Sequence, residues 1–379
     1  MTTRFLIGSP GVPGYGGLPT AGYRLFARLL ADGRDVSFVN LIGTSDAAII
    51  ARVFGPGAGN PERLPHVHEC RLHEADGTSS LAELVSESDA DVLIGLGHAA
   101  TIALRSAAPG RRVVFMAGTC RQAQDTVTRG LARDGASLEA ALASGITQPL
   151  FRHRDEERAL EACDILVAHS PLTLSLFERC YPVWIGRIWP EVTSWAEWIC
   201  DGALPWRARA RPFDERDIDL CVVAADWSRR EKNYPWVEAL AAQRTGMSIH
   251  VIGQVPREIP GVTHHGLVAS RDEVMTLMGR SRCVAAPSLI DAAPGVLFEA
   301  AIMDCNVVAS RNCGNWELCA PDLLVEPFEF AVFADAVRRA RVVKRADGLD
   351  TFLARAGYAD LLDTLDALAR PLTPAGAAS

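Results

Sequence analysis

The chain has 379 residues, which suits two or three domains of ordinary size, and its 49% hydrophobic content excludes disorder over most of its length. Its 38 Lys and Arg against 46 Asp and Glu give a net charge of −8, which argues against nucleic-acid binding because that needs concentrated positive potential. The 10 cysteines include no Cys-x-x-Cys pair, no apolar run approaches the roughly 18 residues of a membrane span, and the N-terminus lacks a leader pattern. We therefore expect a reduced, cytoplasmic protein.

In the first half, short apolar runs alternate with longer segments of helical period, a pattern typical of βα units with a parallel sheet. A more polar region, 118–162, is predicted to hold two or three helices, and a stretch rich in Trp, Pro and Arg, 184–217, is interpreted as the connection between domains. The predicted strands are 4–8, 36–40, 91–96, 112–116 and 164–169, and the predicted helices are 20–31, 99–107, 149–163 and 171–180.

The same alternation restarts in the second half, which indicates a second α/β domain of similar size. A last helix is predicted over 347–368, and the small-residue tail, 371–379, is expected to be disordered. The predicted strands are 219–224, 248–252, 262–266, 283–286, 305–309 and 323–325, and the predicted helices are 234–245, 271–279, 295–304 and 327–343.

The segment 287–301 has the strongest pattern for chemistry. A predicted strand ends in Pro-Ser, a loop carries Asp291, and Pro-Gly opens a helix that carries Glu299 eight residues later. The backbone N–H groups of Gly295, Val296 and Leu297 form the start of that helix, where unpaired donors and the helix dipole favour a diphosphate. Glu299 then suits a ribose and Asp291 suits sugar hydroxyls. The same spacing also fits a capped helix with two surface acids.

Three cations, Arg229, Arg230 and Lys232, follow the first predicted strand of the second half. Open α/β sheets bind ligands at the carboxyl ends of their strands, where these cations would neutralise a diphosphate. The alternative is a solvated helix start.

A glycine-rich loop, 8–20, follows the first strand of the chain and includes Gly16 and Gly17. It lacks both the Gly-x-Gly-x-x-Gly fingerprint and the P-loop lysine, which disfavours a dehydrogenase or an NTPase.

Taken together, the segments 14–29, 162–170, 226–233 and 287–318 resemble the GT-B glycosyltransferases of family 4, which are retaining enzymes that use nucleotide sugars. Asp291 to Glu299 resembles the Glu-x7-Glu motif of that family, and a Gly-x-x-Glu turn follows at 314–317. The segment 230–233 resembles a Pro-Glu-Lys-Gly motif whose lysine contacts the donor phosphates. Gly16 and Gly17 lie where the family has its glycine loop.

The resemblance implies an α/β fold with two Rossmann-like domains facing a central cleft. We expect an acceptor-binding domain over 1–185, a nucleotide-sugar-binding domain over 186–346, and a helix over 347–370 that returns towards the first domain. The expected activity is transfer of a sugar from a nucleoside-diphosphate sugar to a hydroxyl acceptor. The base of the nucleotide is expected to contact backbone near Gly253 and 266–268. The sequence identifies neither this base nor the acceptor.

The implied site contains cations, acids and backbone donors, and it requires no metal or other cofactor if these charges suffice. The expected catalytic residues are Lys232, Arg229, Arg230 and Asp291. The expected donor-binding residues are Gly16, Gly17, Gly295, Val296, Leu297 and Glu299, and the candidate acceptor contacts are His98 and Thr119. His98 also fits a structural histidine.

Three positions differ from the family pattern. The first acid of the motif is Asp291 rather than Glu, the family arginine falls on Asp226, and the family histidine falls near Gly118. A nucleotide-sugar epimerase, a pseudo-glycosyl coupling enzyme and a non-catalytic binding module of the same fold therefore stay open as alternatives. A basic helix face also leaves open a peripheral contact with the inner membrane surface. Its residues are Arg338, Arg339, Arg341, Lys344 and Arg345.

Overall fold

A computed structural model of the chain describes residues 3–11, 17–41, 67–70, 77–128, 153–192, 201–243, 246–268, 270–326, 328–346, 348–353 and 358–369. These residues form two parallel sheets with helices on both faces. Covered on both faces, the strands are almost continuously apolar, as β4 shows with five buried residues in succession. Among the described residues, no helix is both long and apolar enough to cross a membrane.

The first sheet has seven parallel strands in the order β3-β2-β1-β4-β5-β6-β7. Its strands are β1 (Arg4–Ser9), β2 (Asp35–Asn40), β3 (Val67–Glu69), β4 (Val92–Leu96), β5 (Arg112–Ala117), β6 (Ile165–Ala168) and β7 (Trp189–Val192). Its helices are α1 (Gly17–Ala31), α2 (Gly77–Ser88), α3 (Gly97–Ala107), α4 (Arg121–Thr126), α5 (Arg154–Ala162), α6 (Pro171–Cys180) and α7 (Pro182–Ile185).

The second sheet has six parallel strands in the order β10-β9-β8-β11-β12-β13. Its strands are β8 (Ile218–Asp226), β9 (Ile249–Gln254), β10 (Thr263–His264), β11 (Ser281–Ala286), β12 (Asn306–Ser310) and β13 (Leu324–Val325). Its helices are α8 (Tyr234–Ala242), α9 (Arg271–Gly279), α10 (Gly295–Ile302) and α11 (Phe330–Ala340); α12 (Leu349–Leu353) and α13 (Tyr358–Ala369) follow.

The strand order reverses between β1 and β4 in the first sheet and between β8 and β11 in the second. In open α/β sheets, such reversals leave a crevice at the carboxyl ends of the two central strands, and ligands bind there. In the second sheet, the crevice lies between the loop that carries Lys232 and the loop that carries Asp291. The fold therefore brings together two segments that are about sixty residues apart in sequence.

Strand β7 was not expected from the sequence, because its Trp-Pro pair lies in the stretch assigned to the domain connection. Among the described residues it is the last strand of the sheet, and an edge strand tolerates Pro190 because only one side of it pairs with a neighbouring strand. The first sheet thus continues past residue 185, and the predicted domain boundaries stay predictions. The single helix predicted over 347–368 is also different, since two helices, α12 and α13, are described there.

Arg216 ties the connecting segment to the second sheet. Its guanidinium is buried and donates to the carbonyl oxygens of Arg211 (2.9 Å), Ser281 (2.8 Å) and Met303 (3.1 Å). At the far end of the chain, α13 packs on the core of the first sheet through Leu361 and Leu365. The last helix is thereby attached to the opposite half of the molecule.

Candidate functional site at the reversal point of the second sheet

The loop after β8 is folded by its own polar groups. Asp226 accepts a hydrogen bond from the Ser228 amide at 2.8 Å, and hydrogen bonds from the Ser228 hydroxyl and amide lower the pKa of the Asp226 carboxyl. A single 3-10 turn follows over Arg230–Lys232, and Asn233 closes it in the left-handed conformation with φ 57°. Asp226 is therefore a turn former, at the position where the resemblance would have a cation.

Two hydrogen bonds join this loop to the loop after β11. The Asn233 side-chain amide donates to the Pro287 carbonyl at 3.0 Å, and the Leu289 amide donates to the Glu231 carbonyl at 2.9 Å. They cross the reversal point between β8 and β11. The cationic segment and the acidic segment are consequently held as one unit.

Lys232 and Asp291 form an ion pair at the centre of this unit. The two side chains are only 19% and 16% exposed, so each charge depends on the other for compensation. The backbone of Asp291 is fixed as well, because its amide donates to the Asn312 carbonyl and its carbonyl accepts from the Gly314 amide, both at 2.9 Å. Two of the predicted catalytic residues are thus in direct contact.

The other two predicted catalytic cations differ in their surroundings. Arg229 is paired with Glu231 of its own turn, through Nε and Oε1 at 2.6 Å, and its side chain is about half exposed. Arg230 is exposed, and within the described part of the chain it has no acidic partner. Among the described residues, Arg230 is therefore the cation of this loop that lacks a compensating acid.

The start of α10 presents backbone rather than side chains. A Cβ built on Gly295 would meet no atom within 4 Å, so the approach to its backbone is open, as expected for a phosphate contact. The Leu297 amide, in contrast, donates to the Pro294 carbonyl at 3.1 Å and its side chain is buried. This bond argues against its predicted role as a free backbone donor, and the donor roles of Gly295 and Val296 stay predictions.

Glu299 lies one turn into α10 and faces Arg271, the first residue of α9. Arg271 Nη2 and Glu299 Oε1 are 3.1 Å apart. The sequence did not single out Arg271, because one arginine after a serine N-cap has no distinctive spacing.

The backbone predicted to meet the base is also tightly packed. The Gly253 amide donates to the Gly266 carbonyl at 2.7 Å, and Gly253 adopts φ 117°. A Cβ there would lie 1.6 Å from the Ala224 carbonyl oxygen, so only glycine fits. The segments around Gly253 and 266–268 thus line one side of the reversal point, while their contact with a base stays a prediction.

The first sheet presents its own reversal point between β1 and β4. Gly17 begins α1 there, whereas Gly16 lies outside the described residues. Leu18 of α1 fills the space at the ends of β4 and β5, since a Cβ on Gly97 or Gly118 would lie 3.0 Å and 3.2 Å from its methyl groups. A side chain at position 118 would therefore require a small shift of Leu18.

The candidate acceptor contacts lie at this end of the first sheet. His98 is at the start of α3 and its ring packs edge-on against His153, with the centroids 5.5 Å apart. Burial lowers the pKa of His98, and the neighbouring His153 and Arg121 lower it further. Thr119 follows β5 and donates to the Gln124 side chain at 3.4 Å. Both residues are thus at the expected edge, and their contact with an acceptor stays a prediction.

His169 and Ser170, at the end of β6, connect the two halves, and the sequence analysis did not single them out. Ser170 Oγ donates at 2.6 Å to the carbonyl of Ala292, which lies in the loop that carries Asp291 (the acidic loop, 287–294). His169 is buried, and burial lowers its pKa to about 4, although the Asp291 carboxylate and the Ala117 backbone act in the opposite direction. A neutral imidazole therefore lies near Asp291. The only sequence signal was a polar pair at the end of an apolar strand.

Two Asp-x-Asp triplets, the pattern that indicates metal-dependent glycosyltransferases, occur at 89–91 and 217–219. Both lie at the amino ends of strands, β4 and β8, opposite the candidate site. Asp89 pairs with Arg4 and Arg111, and Asp217 pairs with Arg211 and Arg280. These triplets serve as structural ion pairs and not as part of the site.

The basic face near α11 is largely compensated by acids of the same protein. Every cation of the predicted face has an acidic partner, which lowers the potential that an anionic membrane surface would meet. The pairs are Arg338 and Arg339 with Asp335, Arg341 with Asp219, Lys344 with Asp304, and Arg345 with Asp322.

No protein-family model and no curated protein sequence matches this chain. Solved structures match it by fold. Sucrose-phosphate synthase from Thermosynechococcus elongatus superposes with a TM-score of 0.67 at 15% identity, over 97% of this chain and 98% of that one. HepE from Anabaena, in complex with UDP and glucose, superposes with a TM-score of 0.63 at 13% identity, over 96% of this chain and 100% of that one. WaaG, a glycosyltransferase involved in lipopolysaccharide biosynthesis, superposes with a TM-score of 0.58 at 15% identity, over 96% of this chain and 99% of that one. The chain has the GT-B fold, as the resemblance predicted.

Proposed function

We propose that the protein is a retaining glycosyltransferase that transfers a sugar from a nucleoside-diphosphate sugar to a hydroxyl acceptor. The observation that carries the proposal is the Lys232–Asp291 ion pair at the reversal point of the second sheet, beside the open backbone of Gly295. The similar structures support it, since HepE was solved with UDP and glucose.

In this proposal the diphosphate becomes the counter-ion of Lys232. The ammonium then leaves Asp291, whose carboxylate becomes able to accept hydrogen bonds from the hydroxyls of the transferred sugar. One ion pair thereby connects two binding events, because the charge that each group needs is supplied by the other until the donor arrives. Arg230 and the first amides of α10 add positive potential on the same side.

The costly step is departure of the nucleoside diphosphate. The bond between the anomeric carbon and the phosphate oxygen breaks with its electron pair on the oxygen, and Lys232 and the α10 amides stabilise that charge. The acceptor oxygen forms its bond to the same face of the anomeric carbon, and its proton passes to the leaving phosphate. The configuration is retained, and no protein nucleophile is assigned.

The direct test is incubation of the full chain with UDP-, GDP- and ADP-sugars and a panel of mono- and disaccharide acceptors, followed by NMR of the product. We expect release of one nucleoside diphosphate and a product with the anomeric configuration of the donor. Conversion of the donor without any acceptor would favour an epimerase. If the protein binds a donor but gives no product with every donor and acceptor of the panel, that result would favour a non-catalytic module and contradict the proposal.

A further inference from the structure

The pair formed by Arg271 and Glu299 lies on the side of the site where a ribose is expected, and only Glu299 has been assigned a role. Both side chains are 23% exposed, with Arg271 Nη2 at 3.1 Å from Glu299 Oε1. Fully exposed ion pairs contribute little to stability, whereas this pair is largely shielded from solvent. It joins the first residue of α9 to a residue one turn into α10, the helix that Gly295 begins.

Arg271 has donors that no described residue accepts from. Within the described residues, its Nε and Nη2 are shielded from solvent and have no acceptor in hydrogen-bond geometry, so the contact with Glu299 is an ion pair without an aligned hydrogen bond. Native proteins keep few shielded donors without an acceptor, because such donors lose their hydrogen bonds to water without a replacement. Such donors indicate a group that arrives from outside the chain.

The two side chains have complementary capacities. A guanidinium only donates hydrogen bonds and an ionised carboxylate only accepts them, whereas a hydroxyl does both. Two adjacent hydroxyls therefore match the pair, one proton going to Glu299 and one hydroxyl oxygen accepting from Arg271. The 2′ and 3′ hydroxyls of a ribose are such a diol.

We propose that Arg271 recognises the ribose diol of the nucleotide together with Glu299, which it also holds in position. This inference rests on the proposed function and adds a specificity: the site selects ribonucleotides over deoxyribonucleotides through an arginine that no sequence motif marks. Arg271 follows the segment 266–268, which is expected to meet the base, and Gly266 of that segment accepts a hydrogen bond from the Gly253 amide.

The test is calorimetric titration of the full chain with UDP, GDP, ADP, their 2′-deoxy and 3′-deoxy forms, and inorganic pyrophosphate. The variants are Arg271→Ala and Arg271→Lys. The matched control is Arg209→Ala, because Arg209 pairs at 2.7 Å with Asp272, the neighbour of Arg271, but is 61% exposed. Circular dichroism checks folding, and the lysine variant carries the test if the alanine variant is unfolded.

We expect the wild type and the control to bind the preferred ribonucleotide at least tenfold more tightly than one of its deoxy forms. Arg271→Ala should reduce that ratio at least threefold and leave pyrophosphate affinity within twofold. An unchanged ratio, or an equal loss of pyrophosphate binding, would overturn the role of Arg271 alone. Failure of the wild type to bind every nucleotide and pyrophosphate would overturn the proposed function itself.

Discussion

Asp291 is one methylene shorter than the glutamate that the family pattern has at its position, and the structure shows what the shorter side chain contacts. It pairs with Lys232, and the neutral imidazole of His169 lies near it from the other half of the molecule. A neutral imidazole has one donor and one acceptor nitrogen, so it adds no charge that would compete with Lys232. The charge balance of the site thus depends on keeping His169 unprotonated.

This state of His169 predicts a pH dependence of stability. Its pKa is lowered to about 4 in the folded chain from about 6.5 when unfolded, so the unfolded state binds the extra proton between these values. Stability is therefore lost as pH falls from 6.5 towards 4, by up to about 3 kcal/mol from this residue. Urea titrations between pH 7 and 4.5 should show a flatter dependence for His169→Gln than for the wild type. Parallel curves would contradict the assignment.

At the scale of elements, hydrogen bonds from several neighbouring segments hold the acidic loop, 287–294. Asn312 donates to the Leu289 carbonyl at 2.9 Å, Asn315 donates to the Pro294 carbonyl at 3.2 Å, and Ser170 reaches Ala292 from the first sheet. The backbone of Gly314 lies against the same loop, because a Cβ there would lie 1.6 Å from the Ala292 carbonyl oxygen. The site is therefore built on a loop whose backbone is held in place by contacts within the protein.

Two glycine substitutions separate this structural role from binding. Gly314→Ala should displace the acidic loop, because backbone atoms cannot yield easily, and should lower both the melting temperature and nucleotide affinity. Gly295→Ala meets no atom and replaces glycine within a helix, so stability should be unchanged or higher by up to about 1 kcal/mol. Its pyrophosphate affinity should fall at least tenfold. Unchanged pyrophosphate affinity for Gly295→Ala would show that phosphate does not approach this backbone.

At the scale of the whole molecule, the two halves are joined by features distant in sequence. Arg34 and Asp366 form a two-pronged ion pair at 3.0 Å and 2.8 Å, which holds α13 on the first sheet. Leu365 is completely buried in that core. The last helix is therefore part of the packing of the first half.

This packing predicts that a change near the C-terminus destabilises the N-terminal half. Leu365→Ala should cost about 2–5 kcal/mol, as expected for a buried leucine. Hydrogen exchange should localise the loss to strands of the first sheet, while β8–β13 keep their protection. Asp363→Ala, on the exposed face of the same helix, is the control and should exchange as the wild type does. Equal loss of protection in both sheets would contradict this assignment.

The sequence predicted the fold class and both loops of the site, because apolar runs and polar loop ends are local patterns. It predicted that α1 begins at residue 20 and α3 at residue 99, whereas the two helices begin at Gly17 and Gly97. It missed β7, whose Pro190 is tolerated only at a sheet edge, and it missed His169 and Arg271. Those two side chains gain their roles from neighbours more than 25 residues away, Asp291 and Glu299, and no spacing along the chain indicates such contacts.

The most direct test of the account is the affinity for a nucleoside diphosphate with and without the Lys232 ammonium. The chain has only two lysines, so Lys344→Ala, which removes the pair with Asp304, is a matched control. Calorimetry should show binding of UDP, GDP or ADP to the wild type and to Lys344→Ala. Lys232→Ala should bind the same nucleotide about 100-fold more weakly, because truncating one partner of a shielded charge pair costs about 2–5 kcal/mol of binding free energy. Equal binding by Lys232→Ala, or no nucleotide binding by the wild type, would contradict the account.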